Sequence, residues 1–220
     1  MSKLNIGQLA DWDTPALSNA LRRETGPDGQ AYTDGSLRQI AGGRFVGIAV
    51  TATMRAAAPG EDSVPVAELH RAVLSVDGPA VVVVQDLDEH SGSGAFLGEV
   101  NGTLLDVLGI AGFVTNGRVR DEPDLRQMGF AVHAAGLCVA RAHMRITAVG
   151  VPVRVGGLDV EPGDLLHGDQ HGVLRIPHAL ADRLPVLAEA VREEEQSIVT
   201  WARSSTFTTE GLLALKRVKH

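Results

Sequence analysis

The chain has 220 residues, of which 44% are hydrophobic and 21% charged, a balance that is ordinary for a globular protein able to bury one good core. The formal net charge of −7, with no cluster of Lys or Arg to offset it, argues against a nucleic-acid backbone as the main partner. The single cysteine, Cys138, excludes an internal disulfide and fits a reducing compartment. No secretory signal pattern opens the chain, and no apolar run approaches the ~20 residues that span a bilayer. We therefore expect a soluble, cytoplasmic protein that binds neither nucleic acid nor membrane.

Helix and strand patterns alternate along the first half of the chain. Thr14 followed by Pro15 predicts a helix start, with Thr14 as the N-cap, and this helix should run to about Glu24. The next predicted elements are, in order, a strand over 45–53, a helix over 64–76 and a strand over 80–86. The last of these is an unbroken apolar run, which is typical of a central strand covered on both faces.

The most informative stretch is 98–121. Its pattern predicts a Gly-rich loop, a short helix, a turn and a buried strand that ends in the polar residues Arg120 and Asp121. About ten helical residues advance ~15 Å and about five strand residues return ~17 Å. Arg120 and Asp121 should therefore lie near the loop at Gly98–Asn101. There the free N–H groups of a helix N-terminus would meet a guanidinium and a carboxylate, which suits a small anion beside a divalent cation. An ordinary αβ unit with an Arg–Asp ion pair at its surface also explains the spacing and is the simpler interpretation, so both interpretations stay open on spacing alone.

The second half of the chain predicts antiparallel strands followed by helices. A hairpin turns at Gly156-Gly157, two strands pair around 168–171, and helices follow over about 178–201 and 209–218. His167 and His171 are four residues apart, but they flank a turn between strands, so the helical spacing that would support a zinc site does not apply. The order of elements predicts an α/β fold with a mixed sheet, formed as one domain over 1–220 with a C-terminal helical extension over about 178–220.

The residues Gly-Ile-Ala-Gly-Phe-Val-Thr-Asn-Gly-Arg-Val-Arg-Asp over 109–121, preceded by Gly98-Glu99 and a helix, resemble the RraA-like family. This family includes the 4-hydroxy-4-methyl-2-oxoglutarate aldolases and the regulator of ribonuclease E activity. Residues 13–21, 45–51 and 151–176 resemble its N-terminal helix, first strand and hairpin, so about three quarters of the chain is covered. The resemblance implies a three-layer ββα swivelling-type fold, assembled as a homotrimer or hexamer with active sites between subunits.

The resemblance also implies the roles of individual residues. The backbone amides of Gly98, Glu99, Val100 and Asn101 would hold the carboxylate and carbonyl of a pyruvate-like substrate, and Arg120 would also bind it. Asp121 would ligate Mg²⁺ or Mn²⁺ with waters completing the shell, and Glu99 would lie near those waters. Glu99, Arg120 and Asp121 are thus the expected catalytic residues. The expected activity is a divalent-metal-dependent lyase on a 2-oxo acid, by retro-aldol cleavage or oxaloacetate decarboxylation through a pyruvate enolate.

The sequence departs from the family pattern at some site positions, and it leaves a further acidic residue and an alternative function open. Asn116 stands where the family often has an acidic or aromatic residue, and Val100-Asn101 differs from the more common residues after the loop acid. A glutamate from a neighbour's C-terminal helix assists the aldolases, and Glu193, Glu194 and Glu195 are the candidates here. The alternative function is that of a non-catalytic regulatory protein that binds a protein partner such as a ribonuclease.

Overall fold

A computed structural model describes residues 6–26 and 31–215. The six α-helices in this part of the chain are α1 (Thr14–Thr25), α2 (Val66–Leu74), α3 (Glu99–Val107), α4 (Glu122–Leu125), α5 (Leu184–Ala202) and α6 (Thr209–Ala214). The twelve strands are β1 (Arg38–Ala41), β2 (Phe45–Arg55), β3 (Ala80–Asp86), β4 (Gly112–Thr115), β5 (Arg118–Val119), β6 (Ala131–Ala134), β7 (Gly136–Leu137), β8 (Arg145–Val149), β9 (Val153–Val155), β10 (Leu158–Val160), β11 (Leu165–Asp169) and β12 (Gly172–Ile176). Short 3₁₀ helices cover Ile6–Asp11 and His178–Leu180.

Eight of these strands form one mixed sheet in the order β1-β6-β4-β3-β2-β11-β12, with β8 also paired to β2. The strands β2, β3, β4 and β6 are parallel, and the chain passes through α2, α3 and α4 between them. The long strand β2 pairs antiparallel with β11 over its first residues and with β8 over its last. This arrangement brings the carboxyl ends of the parallel strands to one edge of the sheet, beside the start of α3.

Successive valines of β3 serve opposite faces of the sheet, as the period of a strand requires. Val82 and Val84 belong to a hydrophobic cluster with residues of α2 and α3, whereas Val81 and Val83 pack in a second cluster with the β9–β10 hairpin. All four are fully buried, which confirms the prediction of a central strand covered on both faces. Helices, main sheet and hairpin make up the three-layer α/β arrangement expected from the sequence.

A third hydrophobic cluster joins α1 and the first half of α5 to β11 and β12. Its α5 members are Leu184, Ala188 and Val191, and no later residue of α5 or α6 in the described chain is buried. None of the described helices combines the length and the apolar character needed to cross a membrane.

Several predicted boundaries were wrong in detail. The N-cap of α1 is Asp13, whose side chain accepts a hydrogen bond of 2.7 Å from the Ala16 N–H, and Thr14 is the first helical residue. The predicted long helix from 178 begins instead at Leu184, because Pro185 lacks a backbone donor and is tolerated only in the first helical turn. The last helix ends at Ala214, and residues 216–218 of that prediction lie outside the described chain.

Candidate functional site

The first turn of α3 forms one wall of the candidate site. Gly98 is the N-cap of this helix, and the Gly102 N–H closes the first helical hydrogen bond by donating to the Gly98 carbonyl at 2.8 Å. The N–H groups of Glu99, Val100 and Asn101 precede that bond and have no acceptor within the helix. The helix dipole adds partial positive charge at the same point. The first turn is therefore suited to an anion.

The chain returns to this turn after β4 and β5. The Arg120 N–H donates to the Leu97 carbonyl at 3.1 Å, and the Glu99 N–H donates to Asp121 Oδ2 at 3.0 Å. Arg120 Nε lies 3.3 Å from the same Asp121 oxygen. The predicted proximity of these residues is confirmed, and the Arg–Asp ion pair of the alternative interpretation is part of the same arrangement.

Gly98 makes this approach sterically feasible. A Cβ atom at position 98 would lie 2.5 Å from Asp121 Oδ2 and 2.9 Å from Arg120 Cγ. Both distances are shorter than a real Cβ contact, so any side chain would push Arg120 and Asp121 away from the helix. The glycine is required here for close approach rather than for a left-handed backbone.

Asp121 has an uncommon backbone conformation for a residue with a side chain. Its φ and ψ are 55° and 45°, in the left-handed region that Asp and Asn tolerate better than most residues. It is also the N-cap of α4, where its carbonyl accepts from the Leu125 N–H at 3.1 Å. The turn orients the carboxylate toward α3, and both contacts described for that carboxylate fall on Oδ2.

A cleft of about 340 Å³ opens at this point. Its lining includes the five residues predicted to bind substrate, which are Gly98, Glu99, Val100, Asn101 and Arg120. The Asn101 side chain is engaged elsewhere, since its Nδ2 donates to the Phe96 carbonyl at 2.7 Å, so Asn101 offers the cleft its backbone. The cleft also includes Arg141 and Met144, which sequence reasoning missed. They lie in a turn before β8 with no distinctive residue pattern, and only the pairing of distant strands brings them here.

Asn116 supports the site from outside the cleft. Its side chain spans the end of β3 by accepting from the Asp86 N–H at 2.7 Å and donating to the Asp86 carbonyl at 3.0 Å. The Asp86 carboxylate accepts from the N–H groups of Asp88 and Gly92, and burial raises its pKa above the ordinary value. Asn116 and Asp86 thus fix the loop that leads from β3 to α3.

The other residues considered from the sequence have structural partners. Glu194 pairs with Arg23 at 2.7 Å, and Glu195 accepts from Asn19 Nδ2 at 3.4 Å, so both contact α1 of their own chain. The buried His167 contacts the Thr14 hydroxyl and the Trp12 carbonyl, each at 3.0 Å, and burial lowers its pKa to about 4.

His171 contacts the Asp169 carboxylate at 3.1 Å and lies within the turn between β11 and β12, whereas His167 lies in β11, so the two histidines share no helix and do not flank the turn as predicted. Across residues 6–26 and 31–215, no three His, Cys, Asp or Glu side chains are grouped as a metal cage.

Comparison with known proteins identifies the family. Residues 14–175 match the model of the RraA-like family, described as Aldolase/RraA. The chain belongs to the RraA-like family. A protein of Halalkalibacterium halodurans, provisionally named 4-hydroxy-4-methyl-2-oxoglutarate aldolase, is 30% identical over 95 residues, which are 43% of this chain and 45% of that relative. The matched segment thus spans less than half the length of this curated relative.

Two further comparisons extend the likeness. A Burkholderia mallei protein with the same provisional name is 34% identical over 119 residues, which are 52% of this chain and 69% of that relative. The crystal structure of Streptomyces coelicolor RraAS2, described as an unusual member of the RNase ES inhibitor RraA protein family, superposes with a TM-score of 0.69 at 25% identity. That superposition covers 93% of this chain and 99% of the other. The family therefore joins proteins with aldolase names and proteins described as ribonuclease inhibitors.

Proposed function

We propose that this RraA-like protein is a lyase that cleaves a 2-oxo acid through a pyruvate enolate with the help of Mg²⁺ or Mn²⁺. One observation carries the proposal: the first turn of α3 and Arg120, which line a cleft, both lie within hydrogen-bonding distance of the Asp121 carboxylate just behind that lining. The aldolase names of the relatives at 30% and 34% identity favour the same chemistry.

The donor set fits a hard, largely hydrated cation. Asp121 Oδ2 accepts from the Glu99 N–H and lies beside Arg120, which leaves Oδ1 as the oxygen for a metal ion. Mg²⁺ is commonly held by one or two carboxylates while it keeps several waters and binds substrate oxygens. Asp121 would therefore hold the cation, and the exposed Glu99 carboxylate would accept hydrogen bonds from its waters. Such a cation polarises a carbonyl oxygen and lowers the cost of negative charge that develops on it.

The chain's own residues would bind and orient the substrate. The N–H groups of Val100 and Asn101 are donors for its 1-carboxylate, and Arg120 can offset negative charge on the enolate oxygen. In retro-aldol cleavage the 4-hydroxyl loses a proton, its oxygen forms a carbonyl with C4 as the C3–C4 bond breaks, and the electron pair of that bond enters the enolate. The C4 fragment leaves as a carbonyl compound. The enolate then takes up a proton to give pyruvate. Glu99 is the side chain we assign to hold and return that proton through water, because it is exposed at the start of α3.

The proposed active form is a homotrimer or hexamer with sites between subunits. In support, α3 carries an exposed apolar stripe formed by Val100, Leu104 and Val107, which are 71%, 47% and 81% exposed and lie at helical spacing. This stripe begins in the cleft itself, since Val100 is one of its lining residues. A neighbouring subunit that covers the stripe would border the substrate site, and Glu193, Glu194 or Glu195 of that neighbour is the proposed source of a further acid.

The decisive experiment is pyruvate release from 4-hydroxy-4-methyl-2-oxoglutarate and from oxaloacetate, with Mg²⁺ or Mn²⁺ and with EDTA. The test variant is Asp121→Asn, because Asn tolerates the left-handed backbone and can still accept from the Glu99 N–H, whereas Ala would add backbone strain. The matched control is Asp124→Asn, three residues along the same short helix. Wild type and control should turn over in a metal-dependent way, and Asp121→Asn should lose at least about 100-fold in kcat/KM.

Two results would contradict the proposal. Equal activity in Asp121→Asn and wild type would show that the reaction does not take place at the site around Asp121. A folded protein that binds neither cation and releases no pyruvate would favour a non-catalytic regulator that binds a protein partner such as a ribonuclease, as in the inhibitor family of the Streptomyces structure.

A further inference from the structure

Arg141 borders the same cleft as Arg120 but has no part in the reaction described above. Arg120 is paired with Asp121, whereas within residues 6–26 and 31–215 the structure describes no ion pair and no hydrogen bond for the Arg141 guanidinium. Arginines of the neighbouring elements do have such partners: Arg126 pairs with Glu122, and Arg145 with Asp62. An unpaired guanidinium beside an anion-binding cleft is available to a ligand.

The backbone at Arg141 is fixed from both sides. The Ala95 N–H donates to the Ala140 carbonyl at 3.0 Å, and the His143 N–H donates to the Ala56 carbonyl at 3.1 Å. Gly94 packs against the turn so closely that a Cβ there would lie 2.4 Å from the Arg141 carbonyl oxygen. These contacts tie the turn to the segment leading into α3 and to the end of β2. The base of the Arg141 side chain is thus held at a set position relative to Gly98. This lowers the conformational entropy that the chain loses when Arg141 binds a ligand.

Much of the remaining lining is apolar and includes Val66, Phe96 and the nearly buried Met144. A ligand suited to this surface has a short carbon chain with one negative group near Arg120 and a second negative group near Arg141. Arginine recognises carboxylates through a planar fork of donors, so the second group is expected to be a carboxylate.

We propose that Arg141 is a specificity-determining residue that binds the distal carboxylate of a 2-oxo diacid. The assignment rests on the proposed function for the 2-oxo end of the substrate, which lies at α3 and Arg120. It makes the protein selective for diacids over 2-oxo acids that carry a neutral distal group.

The test compares two ligands that differ only at the distal end, 2-oxoglutarate and 2-oxopentanoate. Neither carries the 4-hydroxyl needed for retro-aldol cleavage, so calorimetric titration with Mg²⁺ present measures binding apart from turnover. Wild type should bind 2-oxoglutarate about 10- to 100-fold more tightly, as expected for hydrogen bonds to a charged group. Arg141→Gln should lose that preference while its Kd for 2-oxopentanoate stays within about twofold, and Arg141→Lys should keep part of it.

The control is Arg154→Gln, which removes one exposed guanidinium on the hairpin at the other face of the sheet. A wild type without preference, or a preference that survives in Arg141→Gln, would overturn the assignment. Pyruvate release from 4-hydroxy-4-methyl-2-oxoglutarate is measured alongside. If the protein prefers 2-oxoglutarate but releases no pyruvate, the lyase reaction is contradicted and the role of Arg141 stands. If it releases pyruvate but shows no preference between the two ligands, the role of Arg141 is contradicted and the lyase reaction stands.

Discussion

Gly98 leaves no room for a methyl group between the first turn of α3 and the side chains of Arg120 and Asp121. We expect Gly98→Ala to displace both side chains and to lower kcat/KM by about 100-fold, the usual effect of misplacing catalytic groups by about 1 Å. Gly43→Ala is the matched control, because a Cβ at position 43 meets nothing within 4 Å and its φ is not in the left-handed region. The measurement is metal-dependent pyruvate release together with the Tm of each variant. Unchanged activity in Gly98→Ala would show that this close approach is dispensable.

At the residue scale, the sequence predicted part of the site because part of it is local. Gly98 and Asp121 are joined by the short helix α3 and the short strands β4 and β5, and the lengths of those elements fix where the chain returns. Arg141 could not be predicted in this way, since its turn is held by backbone hydrogen bonds to Ala56 and Ala95, which are distant in sequence. The cap of α1 was misassigned because Asp13 and Thr14 are both good N-caps, and the aspartate takes the role.

At the element scale, periodicity was a sufficient guide where a strand is buried on both faces. The first five residues of β3, Ala80–Val84, are apolar without interruption, and each face of the sheet has its own hydrophobic cluster. The start of α5 was predicted too early, because the apolar pattern already begins in the 3₁₀ turn at His178–Leu180, whereas Pro185 must lie in the first turn of the helix. The antiparallel position of β8 beside β2 carries no signal in the sequence, since it depends on β11 pairing only with the first residues of β2 and leaving the last residues of the same edge free for β8.

The contact between α1 and β11 should make the fold sensitive to acid. His167 Nε2 donates to the Trp12 carbonyl and its Nδ1 lies 3.0 Å from the Thr14 hydroxyl, and a neutral imidazole satisfies both contacts. The pKa of His167 is about 4 in the folded protein, whereas the ordinary value of 6.5 applies to the unfolded chain. Between those two pH values the unfolded state therefore binds more protons than the folded state. Stability should therefore rise with pH across this window by an amount on the order of 3 kcal/mol and level off above it.

The measurement for this prediction is the free energy of unfolding in urea at intervals from pH 4 to 7.5. His167→Gln should flatten the rise, although some slope should persist because burial also lowers the pKa of His133. His178→Gln, at an exposed histidine after β12, should leave the slope unchanged. A wild-type stability that is flat between pH 4 and 6.5 would contradict the assignment of His167 as a neutral buried group.

At the scale of the whole molecule, α3 is the element where catalysis and assembly would meet. Its buried face packs in the cluster that includes Leu105, while Leu104 and Val107 project from the opposite side and are largely exposed. Burying apolar surface of this kind contributes about 25 cal/mol for each Å² removed from water. The proposed trimer or hexamer would bury it, so the double substitution Leu104→Glu with Val107→Glu should shift the assembly toward monomers without changing the secondary structure.

Light scattering and circular dichroism, each on the wild-type protein and on the double variant, provide this measurement. Val139→Glu is the control for an added surface carboxylate, because Val139 is 95% exposed and lies in the loop between β7 and β8, away from α3. If the α3 variant dissociates, its pyruvate release should fall with it, since a site between subunits cannot be complete in a monomer. A double variant that keeps the wild-type mass would exclude the α3 stripe from the interface. A dissociated variant with full activity would instead mean that each chain carries a complete site.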